Sequence, residues 1–204
     1  MDNGPEKSIS KINHAAFDVV AIAASAGGLQ ALSLVLAGLP ENFPAAILIV
    51  QHLDPRHRSL MADILGRRTA LKVKQAQAGD RLEPGLILIA PPNYHMLVTD
   101  DGDLALTQTE LVHFVRPSAD LLFESVAGKY KRCAIGVVLT GTGSDGSMGV
   151  EAIRKMGGTV IVQDPESTEF DGMPRAAIQT KCVDFVLPLD EIPQALLRLV
   201  VAEE

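Results

Sequence analysis

The sequence predicts a doubly wound α/β fold, with a mostly parallel sheet flanked by helices and a small antiparallel hairpin insert. Short, almost wholly apolar runs recur along the chain, as strands buried on both faces of a parallel sheet require. Helical-period segments with glycine or proline stops alternate with those runs. Near the middle, Asp101-Gly102 sits between two short apolar segments and reads as a hairpin turn.

The elements follow in order. Residues 1–16 are polar, without a clear period, and read as a tail. Phe17 to Ala24 is the first buried strand, ended by Ser25; Gly27-Gly28 opens a helix with Leu29, Leu32 and Leu36 on one face, stopped by Gly38 and Pro40. Ala46 to Gln51 is a second buried strand. His52 ends it, and Asp54-Pro55 reads as the N-cap and first turn of a helix with Leu60, Met61, Ile64 and Leu65 on its apolar face. Leu86 to Ala90, His95 to Thr99 and Leu104 to Thr107 read as the strands of an antiparallel insert. Alternation resumes with a Ser118-capped helix through Val126, the strand Ala134 to Thr140, a glycine-rich turn, and a helix from Asp145 to Met156 ended by Gly157-Gly158. The strand Thr159 to Gln163, a short helix started by Pro174, the strand Val183 to Leu187 and a last helix with Ile192, Ala195, Leu196, Leu199 and Val200 complete it. The expected division is a tail over 1–16 and one domain over 17–204, in keeping with a chain of 204 residues.

Composition narrows the function. With 47% hydrophobic and 21% charged residues, the chain can bury enough apolar surface to offset its ordering entropy. A net charge of −7 offers no broad positive field for a phosphate backbone, so nucleic acid is not an expected partner. Cys133 and Cys182 have no Cys or His at metal-ligand spacing and read as reduced core residues. No secretory signal or membrane-length apolar stretch is seen, so the expectation is a cytoplasmic protein without membrane insertion.

Ligands of open parallel sheets bind beyond the carboxyl ends of the strands. Three such ends carry Ser25, His52 and, in Gly141-Thr142-Gly143-Ser144-Asp145-Gly146, Asp145. A serine hydroxyl is a poor nucleophile near neutral pH until a base takes its proton, and a carboxylate that orients the base completes the set. Ala23-Ala24-Ser25-Ala26-Gly27 resembles a nucleophile elbow, with Ala23 in place of the usual first glycine. The chain order Ser, His, Asp differs from that of the α/β-hydrolases, but a triad is defined by geometry. Bland alternatives stand beside these roles: Ser25 as a helix cap, His52 as a structural histidine. His14, His57, His95 and His113 lack such partners in the sequence. Asp145 has a rival reading, because Gly141, Gly143 and Gly146 satisfy G-x-G-x-x-G with Asp164 further on, although Asp145 would repel a pyrophosphate at that helix start.

Together the motifs resemble the CheB-type chemotaxis receptor methylesterase family from about Phe17 to Val200. The segments are Ile22 to Gly28, Val50-Gln51-His52, His113 to Asp120, Leu139 to Gly146, and Gly172 to Ile178. The resemblance implies hydrolysis of glutamate γ-methyl esters on receptor cytoplasmic helices, with deamidation of receptor glutamines as a companion reaction and no cofactor or metal. It implies Ser25 as nucleophile, His52 as general base and acid, and Asp145 as the orienting carboxylate. Ala26 and Thr142 replace the Thr and Met of well-known members; the backbone N–H at Thr142 survives that change as an oxyanion donor. Arg116 and Arg175 are candidate substrate contacts because they lie in matching motifs, against the alternative of ordinary ion pairs. Family members commonly begin with a receiver domain, for which the residues before Phe17 leave no room. The expectation is a stand-alone esterase or a piece of a larger protein, with a methyltransferase or separate regulator as a further partner. Two rivals remain at this stage: a nucleotide-binding domain using Gly141 to Gly146, and a catalytically weak receptor-docking module.

Overall fold

In the computed structural model, which describes residues 17–52 and 59–201, seven parallel strands form the central sheet. The chain runs β1 (Val19–Ala24), α1 (Gly28–Ala37), β2 (Ala46–Gln51), α2 (Met61–Gly66), β3 (Lys72–Gln75) and β4 (Leu86–Ile89). A hairpin of β5 (His95–Val98) and β6 (Leu104–Thr107) follows, then α3 (Ala119–Tyr130), β7 (Ala134–Val138) and α4 (Ser147–Lys155). The last elements are β8 (Thr159–Gln163), α5 (Gly172–Gln179), β9 (Phe185–Leu187) and α6 (Ile192–Val200).

The strand order is β3-β4-β2-β1-β7-β8-β9, with the β5–β6 hairpin apart as an antiparallel pair. From β1 the chain builds outward to one edge, then returns to β7 on the other side of β1 and builds to the opposite edge. The topological switch point therefore lies between β1 and β7, where α/β sheets open a crevice.

Strand β1 shows why both faces of the sheet are covered. Val19, Ala21 and Ala23 point into one apolar cluster with Leu122, Phe123 and Val126 of α3, Val150 and Ile153 of α4 and Met173 of α5. Val20, Ile22 and Ala24 point into a second cluster with Leu32 and Leu36 of α1, Met61 and Leu65 of α2, and Ile192 and Leu196 of α6. Each fully buried branched side chain contributes about 1.5–3 kcal/mol, so a polar alternation would leave one layer without a core. On the first face α4 approaches α3 closely: a Cβ on Gly149 would lie 2.5 Å from Phe123 Cβ, so only glycine permits that contact.

The doubly wound class holds, with local differences. Leu86 to Ile89 is no part of the antiparallel insert: it pairs in parallel with both β2 and β3, because a wholly apolar strand is best buried inside the main sheet. The edge strand β3 carries Lys72-Val73-Lys74-Gln75 and escaped the sequence reading, since an exposed polar strand shows no hydrophobic pattern. Leu60 is exposed ahead of α2, while Met61 and Leu65 carry that helix's buried face. The expected tail over 1–16 and the Asp54-Pro55 cap lie outside the described residues, as do His14 and His57.

Candidate active site

Ser25 follows the last residue of β1, and its N–H donates to the Thr140 carbonyl at 3.0 Å just beyond β7. The chain turns at once into α1: the Gly28 N–H donates to the Ser25 carbonyl at 2.9 Å, and Gly27 takes the left-handed φ of 75° that the sharp turn requires. Gly27 occupies the cap position of α1 with no side-chain cap, so the Ser25 hydroxyl is not spent on capping that helix. The loop after β7 passes tightly by: a Cβ on Gly141 would sit 2.8 Å from Ser25 Cβ and 2.3 Å from Met173 Sδ. Thr142 is the next residue of that loop, and Ala26 follows Ser25 in the chain. An open groove of about 630 Å³ reaches Ser25, lined also by Gly28, Gln51, Met61 and Arg68.

His52 arrives from the neighbouring strand. Ala24 pairs with Gln51 in the parallel register, so Ser25 and His52 leave the sheet side by side, and the His52 N–H donates to the Ala24 carbonyl at 3.2 Å. The Gln51 side chain ties the two together. Its Nε2 donates to the Ser25 carbonyl at 2.8 Å and to the His52 carbonyl at 3.1 Å, while its Oε1 is buried without a partner.

Asp145 completes the set from the loop between β7 and α4. His52 Nε2 lies 2.9 Å from Asp145 Oδ2. The carboxylate also rests on the N-terminus of α3, accepting from Ser118 Oγ at 2.8 Å, the Ala119 N–H at 2.6 Å and the Asp120 N–H at 3.2 Å. Burial pushes this carboxyl up, but the His52 hydrogen bond, the Ala119 N–H, the His52 charge and the Ser118 hydroxyl together hold it below the ordinary aspartate value. A helix N-terminus favours a negative charge for the same reason. An ionised Asp145 can only accept, so in the neutral imidazole Nε2 of His52 carries the proton and Nδ1 the lone pair of a base.

Contacts that the sequence does not reveal support this arrangement. Ser118 caps α3 as the sequence predicts, its hydroxyl accepting from the Leu121 N–H at 3.5 Å, and the same hydroxyl also donates to Asp145 at 2.8 Å. The Ser118 N–H donates to His95 Nδ1 at 3.1 Å, which leaves the fully buried His95 to donate from Nε2 to the Glu110 carbonyl at 3.0 Å. Arg-Pro-Ser-Ala-Asp, a motif ending at a helix start, was the signal in the sequence that could have marked this support.

The two arginines stand elsewhere. Arg116 commits its guanidinium to Asn93 Oδ1, at 3.0 and 2.7 Å, and to the Gln108 and Thr109 carbonyls, so it braces a loop. Arg175 pairs with Asp171 and Glu166 on the surface. The nucleotide reading is disfavoured, since Asp145 lies in the glycine-rich loop as a negative charge held by His52 and the start of α3, where a pyrophosphate would have to sit, while Asp164 accepts from the Glu166 N–H in a short turn. Among the described residues, no group of three or more His, Cys, Asp or Glu could hold a metal, and no helix is long and apolar enough to cross a membrane.

A serine hydroxyl, an imidazole and a buried ionised carboxylate at the switch point of a parallel sheet are the parts of an acyl-transfer hydrolase. Residues 20–196 match the model of the CheB methylesterase family, and the chain belongs to that family. The chain is similar to the Thermotoga maritima CheB methylesterase catalytic domain, with a TM-score of 0.86 and 36% identity over 90% of this chain and 99% of that one. A relative from Leptospira interrogans is 39% identical over 183 residues, covering 90% of this chain and 95% of its own length. The Moorella thermoacetica protein-glutamate methylesterase/protein-glutamine glutaminase is 44% identical over 187 residues, and the match spans 44% of its length.

Proposed function

We propose that this chain is a serine esterase that hydrolyses glutamate γ-methyl esters on the cytoplasmic helices of chemotaxis-type receptors, releasing methanol. The observation that carries this reading is the 2.9 Å bond between His52 Nε2 and an Asp145 carboxylate fed by three further donors. With Nε2 protonated, His52 Nδ1 is the base that takes the Ser25 hydroxyl proton as Oγ attacks the ester carbonyl. The tetrahedral oxyanion is met by the backbone N–H groups of Ala26 and Thr142, each donor contributing roughly 10²–10³ in rate. His52 then passes its proton to the departing methoxide, leaving an acyl-serine. Water, deprotonated by the same Nδ1, attacks the acyl carbon; Oγ leaves with the proton and the receptor carboxylate is freed. A receptor glutamine follows the same course with ammonia in place of methanol, in line with the name of the Moorella relative. The site works without a cofactor, in the cytoplasm, with a methyltransferase or separate regulator as a further partner.

Methanol release from a methylated receptor cytoplasmic fragment tests this reading. Ser25→Ala is expected to cut it by about 10³-fold or more, because removing a triad nucleophile removes the chemistry with it. Release that is absent overturns the esterase and favours the receptor-docking module, whereas release that survives Ser25→Ala overturns Ser25 as its nucleophile.

A further inference from the structure

The segment before α3 carries an unusual display. Val112 and Val115 pair in an antiparallel bridge, with the Val112 N–H donating to the Val115 carbonyl at 3.2 Å and the Val115 N–H to the Val112 carbonyl at 2.9 Å. The two residues between them, His113 and Phe114, both have left-handed φ, 48° and 64°. Such a tight turn favours glycine or asparagine, and an L-residue with a large ring is strained there. Phe114 is nonetheless 95% exposed, so no packing within the fold compensates for it. Strain held at a surface position is a pointer to function.

The turn is braced by side-chain contacts and linked to the site. Arg116 fixes its exit strand to Asn93 and to the Gln108 and Thr109 carbonyls. His113 Nε2 lies 3.3 Å from Asp120 Oδ2, and the Asp120 N–H donates to Asp145. Asp120 Oδ1 accepts from the Gly149 N–H at 2.8 Å, so Met148, 54% exposed at the start of α4, is anchored to the same carboxylate. Two exposed apolar side chains thus stand on one base, next to the carboxylate that orients His52.

Resting on the esterase reading, we propose that Phe114 is the anchor with which this chain docks its substrate, inserting between side-chain ridges of the helical receptor segment that bears the ester. A rigid aromatic that loses little side-chain entropy on binding is the usual centre of such a contact, and the Asp120 N–H bond to Asp145 ties the base of that anchor to the carboxylate beside His52.

The test compares Phe114→Gly and Phe114→Trp on a methylated receptor cytoplasmic fragment. Glycine suits the left-handed turn, so Phe114→Gly is expected to melt at or above the native temperature while its KM rises about tenfold and the loss falls on KM rather than kcat. Phe114→Trp is expected to stay within about twofold of the native KM, because it keeps the anchor. Placed in Ser25→Ala, where no turnover intervenes, Phe114→Gly is expected to weaken the Kd for the same fragment about tenfold. Unchanged KM and Kd, an equal loss in the tryptophan variant, a loss paralleled by a lower melting temperature, or no binding by Ser25→Ala overturns the anchor. Failure of the esterase reading is distinguishable, because it removes Ser25-dependent methanol release in the native chain while the Kd comparison still reads the docking.

Discussion

Asp145 and Asp120 flank one helix terminus, at 4% and 2% exposure, and each faces a histidine, yet their carboxyl groups are pulled in opposite directions. Burial raises both. Asp145 then receives His52 at 2.9 Å and three donors from the start of α3, and ends below the ordinary value. Asp120 receives the Gly149 N–H and a more distant His113, lies near the Asp145 charge, and is pushed up to about 6. Two Asp–His pairs with the same residue types thus differ in donor count. An orienting carboxylate must stay charged through turnover, and only the one seated on the helix N-terminus is held that way.

The largest expected break of this contrast is Asp145→Asn. It removes the acceptor that fixes the His52 tautomer, and methanol release should fall by about three to four orders of magnitude. Gln51→Glu comes next. It turns a carboxylate toward the Ser25 and His52 carbonyls that Gln51 now joins, and the resulting shift of nucleophile against base should cost about 10² in kcat/KM. Asp120→Asn should cost less than about tenfold, measured in the same assay, since it leaves every donor to Asp145 in place.

Stability should separate the two carboxylates by sign. A folded-state value raised to about 6 means that Asp120 binds its proton more tightly when folded, so its contribution to stability is lost as pH rises from about 4 through 6. Asp120→Asn should therefore melt a few degrees above the native chain at pH 7, with the gap closing toward pH 4. Asp145, held below its unfolded value, adds stability above about pH 4 that is lost as pH falls through its folded value. Asp145→Asn should melt below the native chain at pH 7 and converge with it in acid. Thermal melts of the three chains across pH 3–8 check both signs.

Much of this was legible in the chain. Ser25 and His52 could be found because each follows directly on a buried apolar strand, and Asp145 because it lies in the glycine-rich loop after another; the carboxyl ends of parallel strands meet at one edge of the sheet whatever the details of packing. What escaped was the support. Gln51 reads as one more strand residue until the register sets its amide under two carbonyls, and His95 reads as a stray histidine until its ring receives the Ser118 N–H. Arg116 and Arg175 share one side-chain chemistry and a place in matching motifs, yet one braces a loop and the other pairs on the surface, a difference set by which acceptors fall within reach.

Periodicity and strand-end residues, which are local properties, were enough to determine the α/β class, the order of most elements and the three groups proposed for the chemistry. Contacts between residues distant in sequence decided the rest: β4 inside the parallel sheet, the α3 N-terminus seated on Asp145, and the opposite fates of Asp145 and Asp120. A carboxyl's charge state depends on donors and neighbouring charges within a few ångströms, and those are assembled only when β7, α3 and α4 pack together.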